Sequence, residues 1–439
     1  MFLDTLEERT FHYFWDLSNA SSGLTPDRWP TPSFSSIAAV GFALTSYPIG
    51  VERGYVSRQA AAGRALLTLR FFLALPQDSA PGATSGYRGF FYHFLDMSTG
   101  RRFGTVELST IDSGLLLAGA LACQSYFDGG DSTESGIRAA AESLYARADW
   151  RWAQARPPLV AMGWLPESGF LASDWRGYNE AMLVYILALG APSHAVDSTA
   201  WPAWTSTYAY GDFEGQGSHV GFAPLFGHQY SHVWIDFSGI RDAYMQGKGS
   251  DYFENSRRAT RAQLAYATAN PSGFTGYGAN LWGLSASDGP ADVQLTVAGR
   301  PRQFHTYFAR GASFTEIQDD GTLAPTALGG SVPFAPEITI PALVAMRRAY
   351  GDNLFSTYGF LDALNPTFPA SATPTMGHNV SGLGWFDTDY LGIDQGAILA
   401  MVENYRSGLI WRLMRGNAHI VRGLCRAGFT GGWLAGRCA

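Results

Sequence analysis

Residues 107–126, ELSTIDSGLLLAGALACQSY, decide the fold. Ser109, followed three residues later by Asp112, matches a capping box, in which these two side chains satisfy free backbone N–H groups at a helix start. The apolar run after this box predicts a helix over Thr110–Tyr126. Similar helical patterns recur along the whole chain, whereas the alternation typical of strands is sparse. The sequence therefore predicts an all-α protein.

The helical pattern predicts about twelve helices. They are Asp4–Leu17, Ser36–Tyr47, Ser57–Leu75, Thr110–Tyr126, Glu134–Trp152, Tyr178–Leu189, Ala200–Tyr208, His232–Met245, Tyr252–Ala269, Glu337–Tyr350, Leu354–Leu364 and Asp394–Met414. Strand-like hairpin arms are expected at Gly89–Leu95, Leu159–Leu165 and Val293–Val297.

The connections between these helices alternate between short links and long loops rich in Gly, Pro and aromatic residues, such as 211–228 and 315–336. Long loops inside compact domains are usually functional. Twelve helices with such connections fit an (α/α)6 toroid, with one face built from loops. We expect one domain over residues 1–415, followed by a C-terminal tail, 416–439, whose role the sequence leaves open.

The composition describes a folded chain with a surface poor in charge. Of its 439 residues 46% are hydrophobic, 14% aromatic and 15% charged, against roughly 25% charged in average domains. Such a chain is not disordered. The net charge of −7, without a basic stripe, disfavours nucleic acid and anionic membrane surfaces as partners. A run of about 18 apolar residues is missing, so no membrane-spanning helix is expected.

Three cysteines bear on the compartment. Cys123 lies in an apolar run and is interpreted as a buried hydrophobic residue. Cys425 and Cys438 are candidates for a disulfide, which would indicate an oxidising compartment. Residues 1–9 contain acidic side chains and lack the apolar segment of a signal peptide. We expect a periplasmic or secreted protein whose signal peptide has been removed, with the cytoplasm as the alternative.

Acidic residues beside aromatics and glycines are typical of a cleft for a neutral sugar, where aromatic faces stack on the sugar and polar groups bind its hydroxyls. Glycosidic cleavage needs two carboxyl groups, one protonated and one ionised. Asp112 is one candidate, although helix capping explains it equally well. Glu107 precedes the cap and could simply be solvated. Glu180 begins an apolar, internal helix, where the helix dipole also favours a carboxylate.

Histidines and further carboxylates form weaker patterns. His228, His232 and Asp236 would share one face of a helix, but Gln229 stands where a zinc protease motif requires glutamate, so a metal site is disfavoured. Asp394 is a plausible helix N-cap, and Glu403 with Arg406 a plausible ion pair. Motifs for phosphate binding, a GxSxG nucleophile or a CxxC zinc pair are missing from the sequence.

Several strings carry a family resemblance. The chain resembles the glycoamylase-like domain of bacterial β-1,2-glucan enzymes, which include the endo-β-1,2-glucanases of glycoside hydrolase family 144 and a transglycosylating domain of cyclic β-1,2-glucan synthases. The resemblance extends from about residue 11 to residue 414. The strings are 89–96, 107–112, 175–181, 227–237, 281–290, 321–327, 333–337 and 392–411.

This resemblance implies an (α/α)6 barrel, a cleft for β-1,2-linked glucose and carboxylate catalysis without a metal or other cofactor. It places Glu180, Asp112 and Glu107 in catalysis, and we interpret Glu180 as the general acid, with Glu107 or Asp112 assisting water. Candidate substrate-binding residues within the strings are Tyr92, His93, Tyr178, Asn179, Gln229, His232, Trp234, Asp236, Trp282, Asp394 and Glu403.

Alternatives remain open at the level of sequence. The leading interpretation is an endo-acting hydrolase, and the alternatives are a transglycosylase, an exo-acting enzyme that releases sophorose, a glucan-binding protein without catalysis, and a polysaccharide lyase. Family 144 enzymes invert and the synthase domains retain the anomeric configuration, so the resemblance does not choose between these outcomes. The choice of acid and base, linear or cyclic substrate and the oligomeric state are equally open.

Overall fold

Helices dominate the structure of the chain, a computed structural model that describes residues 1–438. This confirms the predicted helical class. Three short 3₁₀ helices cover Leu225–His228, Gly351–Asn353 and Gly432–Leu434. The α-helices are α1 Phe2–Leu17, α2 Ile37–Glu52, α3 Arg58–Ala74, α4 Thr110–Tyr126, α5 Ser132–Ala146, α6 Trp150–Ala153, α7 Met182–Gly190, α8 Ala200–Thr205, α9 Tyr230–Trp234, α10 Ala243–Lys248, α11 Tyr252–Ala269, α12 Pro325–Gly329, α13 Pro336–Tyr350, α14 Gly392–Arg406, α15 Leu409–Gly416 and α16 Ala418–Arg426.

Short antiparallel strands stiffen the loops between these helices. The longest hairpin joins Val293–Val297 to Arg300–Phe304. The other pairs are Arg28–Trp29 with Tyr390–Leu391, Ser35–Ser36 with Phe94–Leu95, Gly86–Tyr87 with Phe90–Phe91, Tyr210–Gly211 with His219–Val220, Ala286–Ser287 with Phe308–Ala309, Gly311–Ala312 with Ile317–Gln318, and Phe355–Ser356 with Gly359–Phe360. Two sheets have three strands, one with Gly163–Leu165 between Leu108–Ser109 and Gly169–Phe170, the other with Gly384–Phe386 between Leu364–Asn365 and His378–Val380.

Two predicted helices, Thr110–Tyr126 and Tyr252–Ala269, are confirmed at both ends. The prediction of one helix over His232–Met245 is wrong, because the chain turns after Trp234, where Asp236 accepts hydrogen bonds from the backbone and hydroxyl of Ser238. Local polar groups that compete with the helical hydrogen bonds explain this break.

Two further predicted helices are interrupted or replaced. Leu354–Leu364 forms a hairpin instead of a helix, with Gly359 in a left-handed conformation at the turn. The predicted helix Asp394–Met414 is divided at Gly408, which has a φ of 68°. Glycine adopts such angles without the steric cost that other residues bear.

Buried helices form the interior of the molecule. α2, α4, α7 and α14 are buried over nearly their whole circumference. α2 contacts both α4 and α14, α4 contacts α7, α7 contacts α9, and α14 contacts α9 and α12. The helices α1, α3, α5 and α13 pack outside these, each with one polar face. The interior helices therefore surround a common axis and direct their ends toward the loops.

The crossing of α2 and α4 requires glycine. A Cβ atom on Gly119 of α4 would lie 2.1 Å from the carbonyl oxygen of Gly41 in α2. The two helix backbones touch directly at this point, and the interior depends on that close approach.

The C-terminal segment is folded rather than extended. α16 packs against α7 with Ile420 and Leu424 buried, and a disulfide joins Cys425 to Cys438. Cys123 is buried and free. The division into a domain 1–415 and a tail 416–439 stays a prediction. Within residues 1–438, every helix is too short or too polar to cross a lipid bilayer.

Candidate active site

A cavity of about 200 Å³ lies where the first turns of α4, α9 and α14 meet the segment before α7. A larger hollow of about 760 Å³ at the outer surface of α13 is lined by apolar, amide and basic side chains, which offer little chemistry. The smaller cavity holds carboxyl, imidazole and phenol groups together. It is lined by His93, Ile111, Asp112, Leu115, Glu180, Phe226, Tyr230, Ala286, Tyr307 and Ile393.

Asp112 reaches this cavity from the first turn of α4. Its backbone N–H donates to the hydroxyl oxygen of Ser109 at 3.2 Å, and the Ser109 hydroxyl donates to its carboxylate. The capping interpretation is therefore confirmed, and it is compatible with a chemical role because the same carboxylate lines the cavity. The helix start fixes the position of the carboxylate, since its backbone and side chain share one partner.

Glu180 stands on the same cavity, two residues before α7. The side chain of Asn179 accepts from the N–H of Ala181, and the backbone carbonyl of Glu180 accepts from the Ser231 hydroxyl at 2.7 Å. Burial raises the pKa of Glu180 to about 7, and the nearby charge of Asp112 raises it further. A carboxylic acid with a pKa near 7 is half protonated at neutral pH, as a general acid must be.

His93 joins two of the candidate carboxylates. Its Nδ1 lies 3.0 Å from Glu107 Oε1, and its Nε2 lies 3.5 Å from Asp112 Oδ2. Burial opposes a charge on the ring, but Asp112 and Glu107 outweigh it and raise the pKa of His93 to about 9. Burial acts against ionisation of Glu107 too, and its contact with His93 leaves the Glu107 pKa below the ordinary value. Glu107 thus connects with the cavity through His93.

The opposite side of the cavity is aromatic and adjoins an acidic cluster. Tyr230 and Tyr307 line the cavity, and both lie close enough to Asp394 and Asp362 for these carboxyl groups to raise the tyrosine pKa values, although burial is the main cause. Burial also raises the pKa of Asp394 to about 6, and Asp362, buried beside it, has a pKa well above the ordinary value.

Three carboxylates of this cluster lie close enough to hold a metal ion. Oxygens of Asp288, Asp387 and Asp389 lie within 4.8 Å of one another, and all three residues are buried. Arg28 already contacts Asp288 Oδ2 at 2.7 Å and Asp389 Oδ2 at 3.7 Å. The guanidinium therefore supplies part of the positive charge that this group of carboxylates needs.

Most of the other predicted binding residues are buried between structural elements. Gln229 donates to the carbonyl of Ala327 at 2.9 Å and to the hydroxyl of Ser331 at 2.8 Å. Trp234 donates to Thr45, and the carboxylate of Asp236 contacts Ser238 and Arg415. The remaining residues of this kind are Tyr92, Tyr178, Asn179, His232, Trp282, Asp394 and Glu403.

Two side-chain groupings expected from the sequence do not form. His228, His232 and Asp236 do not share one helix face, because α9 covers only Tyr230–Trp234. Burial lowers the pKa of both histidines to about 3, so their rings are neutral.

Glu403 pairs with Arg53 at 2.6 Å instead of with Arg406. Arg406 points the other way, to Asp4 and Glu7 of α1. In both cases a long-range partner replaced the local one.

The sequence did not single out several residues of the cavity wall. Phe226, Tyr230 and Tyr307 line it, and Tyr307 keeps 55% of its surface exposed. Tyr230 falls inside the string 227–237, which was singled out for its histidines. Tyr307 follows the strand Arg300–Phe304 within a long loop, where an aromatic residue without an apolar neighbour pattern was the available signal.

The chain belongs to the glycoamylase family. The family model described as "Glycoamylase: Putative glucoamylase" matches residues 172–418. This match includes Glu180 and Tyr307 and excludes His93, Glu107 and Asp112, which come from the first third of the chain.

Relatives and solved structures agree with this assignment. The crystal structure titled "putative glucoamylase" from Bacteroides uniformis is 30% identical, with a TM-score of 0.81 and 98% of each chain covered. The endo-β-1,2-glucanase from Chitinophaga pinensis, in complex with sophorotriose and glucose, is 26% identical, with a TM-score of 0.82 and 98% of each chain covered. An exo β-1,2-glucooligosaccharide sophorohydrolase of Parabacteroides distasonis is 27% identical over 96% of this chain, which spans 57% of that protein's length.

Proposed function

We propose that this protein is a glycoside hydrolase that cleaves β-1,2-glucan, acting within the glucan chain. The observation that carries the proposal is the pair Glu180 and Asp112 on one cavity, the first with a pKa raised to about 7 and the second beside an imidazole. Two carboxyl groups with unlike environments are the requirement for glycosidic cleavage. The printed activities of the Chitinophaga and Parabacteroides relatives supply the linkage.

The catalytic steps follow from the two environments. Glu180 donates its proton to the glycosidic oxygen as the bond to the anomeric carbon breaks. Asp112 accepts a proton from the water that attacks this carbon, so that one bond is cleaved and one water molecule is consumed. Of the two candidate bases, Asp112 is favoured over Glu107, because Asp112 lines the cavity and Glu107 reaches it through His93.

We also propose that the interior helices form the inner ring of an (α/α)6 barrel. Contacts link α2, α4, α7, α9 and α14 in succession, and α14 returns to α2. Gln229, which precedes α9, binds Ala327 of α12 and the adjacent Ser331, which supports a place for α12 between α9 and α14. The six inner helices would then be α2, α4, α7, α9, α12 and α14.

Exo action with release of sophorose is the second candidate. The loop that carries Tyr307 extends over one side of the cavity, and a loop that closes a cleft at one end favours release of short products. The name of the Parabacteroides relative points the same way. The disulfide between Cys425 and Cys438 supports a periplasmic or secreted location, where such bonds persist.

One experiment separates these functions. The protein is incubated with linear and cyclic β-1,2-glucan, and the products are resolved by chromatography over time. A ladder of oligosaccharides supports endo action, sophorose alone supports exo action, and longer or cyclic products indicate transglycosylation. A matched pair of variants, Glu180→Gln and the exposed Glu316→Gln, completes the test. Turnover by Glu180→Gln within about tenfold of the wild type would contradict the proposed acid, since such groups contribute 10²–10⁴-fold.

A further inference from the structure

The ring of His93 lies between two carboxylates from different parts of the chain. Glu107 approaches Nδ1 from the segment before α4, and Asp112 approaches Nε2 from the first turn of α4. The ring of Phe94 stacks on the imidazole, with centroids 3.9 Å apart. Both ring nitrogens thus face oxygen atoms that only accept hydrogen bonds when ionised.

This arrangement determines the charge of the ring. A neutral imidazole carries one N–H and one lone pair, so one of its nitrogens would direct a lone pair at a carboxylate oxygen. The imidazolium form has two N–H groups and satisfies both contacts. The other charged groups nearby point in the same direction, because Asp27 also lies near enough to favour the cation.

Further charges stand one step away. Arg28 contacts Asp27 at 3.4 Å, Arg102 lies near Glu107, and Glu180 lies near Asp112. These cations are bound to carboxylates rather than to the ring. Around His93 itself the carboxylates therefore dominate.

We propose that His93 is a positioning residue, an imidazolium that holds Asp112 ionised and aimed into the cavity opposite Glu180. This inference rests on the proposed function and deepens it. It also changes the role expected for His93 from its sequence, because both ring N–H groups are taken by protein carboxylates and the ring has no N–H to offer a sugar hydroxyl.

The ring also explains how two nearby carboxyl groups are kept in different protonation states. Asp112 and Glu180 line one cavity, and two like charges at short range disfavour each other. A cation on the Asp112 side alone directs the negative charge to Asp112 and the proton to Glu180. The division into base and acid is thus produced by one imidazolium.

The test is the pH dependence of kcat/KM in His93→Gln, with His12→Gln as the matched control, since His12 is exposed and also faces an aspartate, at 3.2 Å. We expect the acidic limb of the profile to move upward by about one pH unit, because an opposite charge at this range has an effect of that size. The loss of kcat/KM then reaches about tenfold on that limb and is smaller above it. It falls mainly on kcat.

A sugar-binding His93 would give the opposite pattern, with a raised KM, an unchanged kcat and an unmoved acidic limb. That result would overturn the proposal. Retention of the wild-type profile in His93→Gln would overturn it as well.

A second measurement does not depend on activity. Nitrogen-15 NMR of the histidine rings reports their protonation, and we expect both nitrogens of His93 to be protonated at pH 7 and to titrate near pH 9. A neutral His93 at pH 7 would refute the inference even if the protein cleaves β-1,2-glucan. Conversely, a protonated His93 in a protein that leaves every β-1,2-glucan intact would refute the proposed function and leave the charge of the ring established.

Discussion

Replacing Glu180 by glutamine should stabilise the protein while it abolishes catalysis. In the folded chain burial raises the pKa of Glu180 from 4.5 to about 7. Below about pH 4.5 the group is protonated in both the folded and the unfolded state, so it contributes nothing to the pH dependence of stability. Between these pH values the folded state binds more protons than the unfolded state, and the free energy of unfolding therefore falls as the pH rises.

The magnitude follows from the size of this change. Each pKa unit corresponds to about 1.4 kcal/mol, so an ionised Glu180 costs the folded protein about 3 kcal/mol above pH 7. Glutamine has a similar shape and carries no charge. We expect Glu180→Gln to unfold in urea with a free energy up to about 3 kcal/mol above that of the wild type at pH 8, and with nearly the same free energy as the wild type at pH 4.5.

The exposed Glu316→Gln is the control, for which we expect a change within about 0.5 kcal/mol at both pH values. Equal stability of Glu180→Gln and the wild type at pH 8 would refute the reasoning, because the carboxyl would then ionise without cost. A gain of the same size at both pH values would refute it too, since packing rather than charge would be its cause.

Three more outcomes are expected from the packing, the ion pairs and the cavity. Gly119→Ala should lower the free energy of unfolding by about 3 kcal/mol or more, whereas Gly114→Ala on the same helix, whose Cβ would meet its nearest neighbour at 3.4 Å, should be tolerated. Arg53→Met should cost about 3–5 kcal/mol in urea unfolding, because it leaves the buried Glu403 without its charged partner. Tyr307→Ala should lower kcat/KM on long glucans by about 1–2 kcal/mol, roughly five- to thirtyfold, through lost apolar contact with the sugar.

Stability and activity are in conflict at this cavity. The acid needs a pKa near neutral pH, and the chain obtains it by burying Glu180, which weakens the fold wherever the group ionises. The paired carboxylates near Arg28 behave similarly, because Asp362 and Asp387 are buried and have pKa values well above the ordinary value. The active face therefore contains groups that a protein selected for stability alone would not bury.

Local signals predicted the helix starts well. The serines at the starts of α2, α3 and α4, namely Ser36, Ser57 and Ser109, each accept a hydrogen bond from a backbone N–H three residues later. Cap, apolar run and helix lie within a few residues of one another, so no distant partner is needed to read them. The same holds for Asp112, whose capping contact is made with Ser109 alone.

Long-range partners account for what the sequence did not predict. Glu403 and Arg406 lie three residues apart, yet each binds a residue of another helix. Leu354–Leu364 has helical periodicity, but its glycine turn and strand pairing prevail. Sequence spacing states which partners are near along the chain and is silent about partners brought in by folding.

The amino-acid sequence by itself determined the helical class, the apolar interior helices and the small set of carboxylates from which the site is built. Only the tertiary structure decided how they act. It placed His93 between Glu107 and Asp112, brought Tyr307 to the same cavity as Glu180, and buried Glu180 enough to raise its pKa. The physical reason is that proton affinity depends on burial and on charges within a few ångströms, and both depend on segments more than a hundred residues apart in the chain.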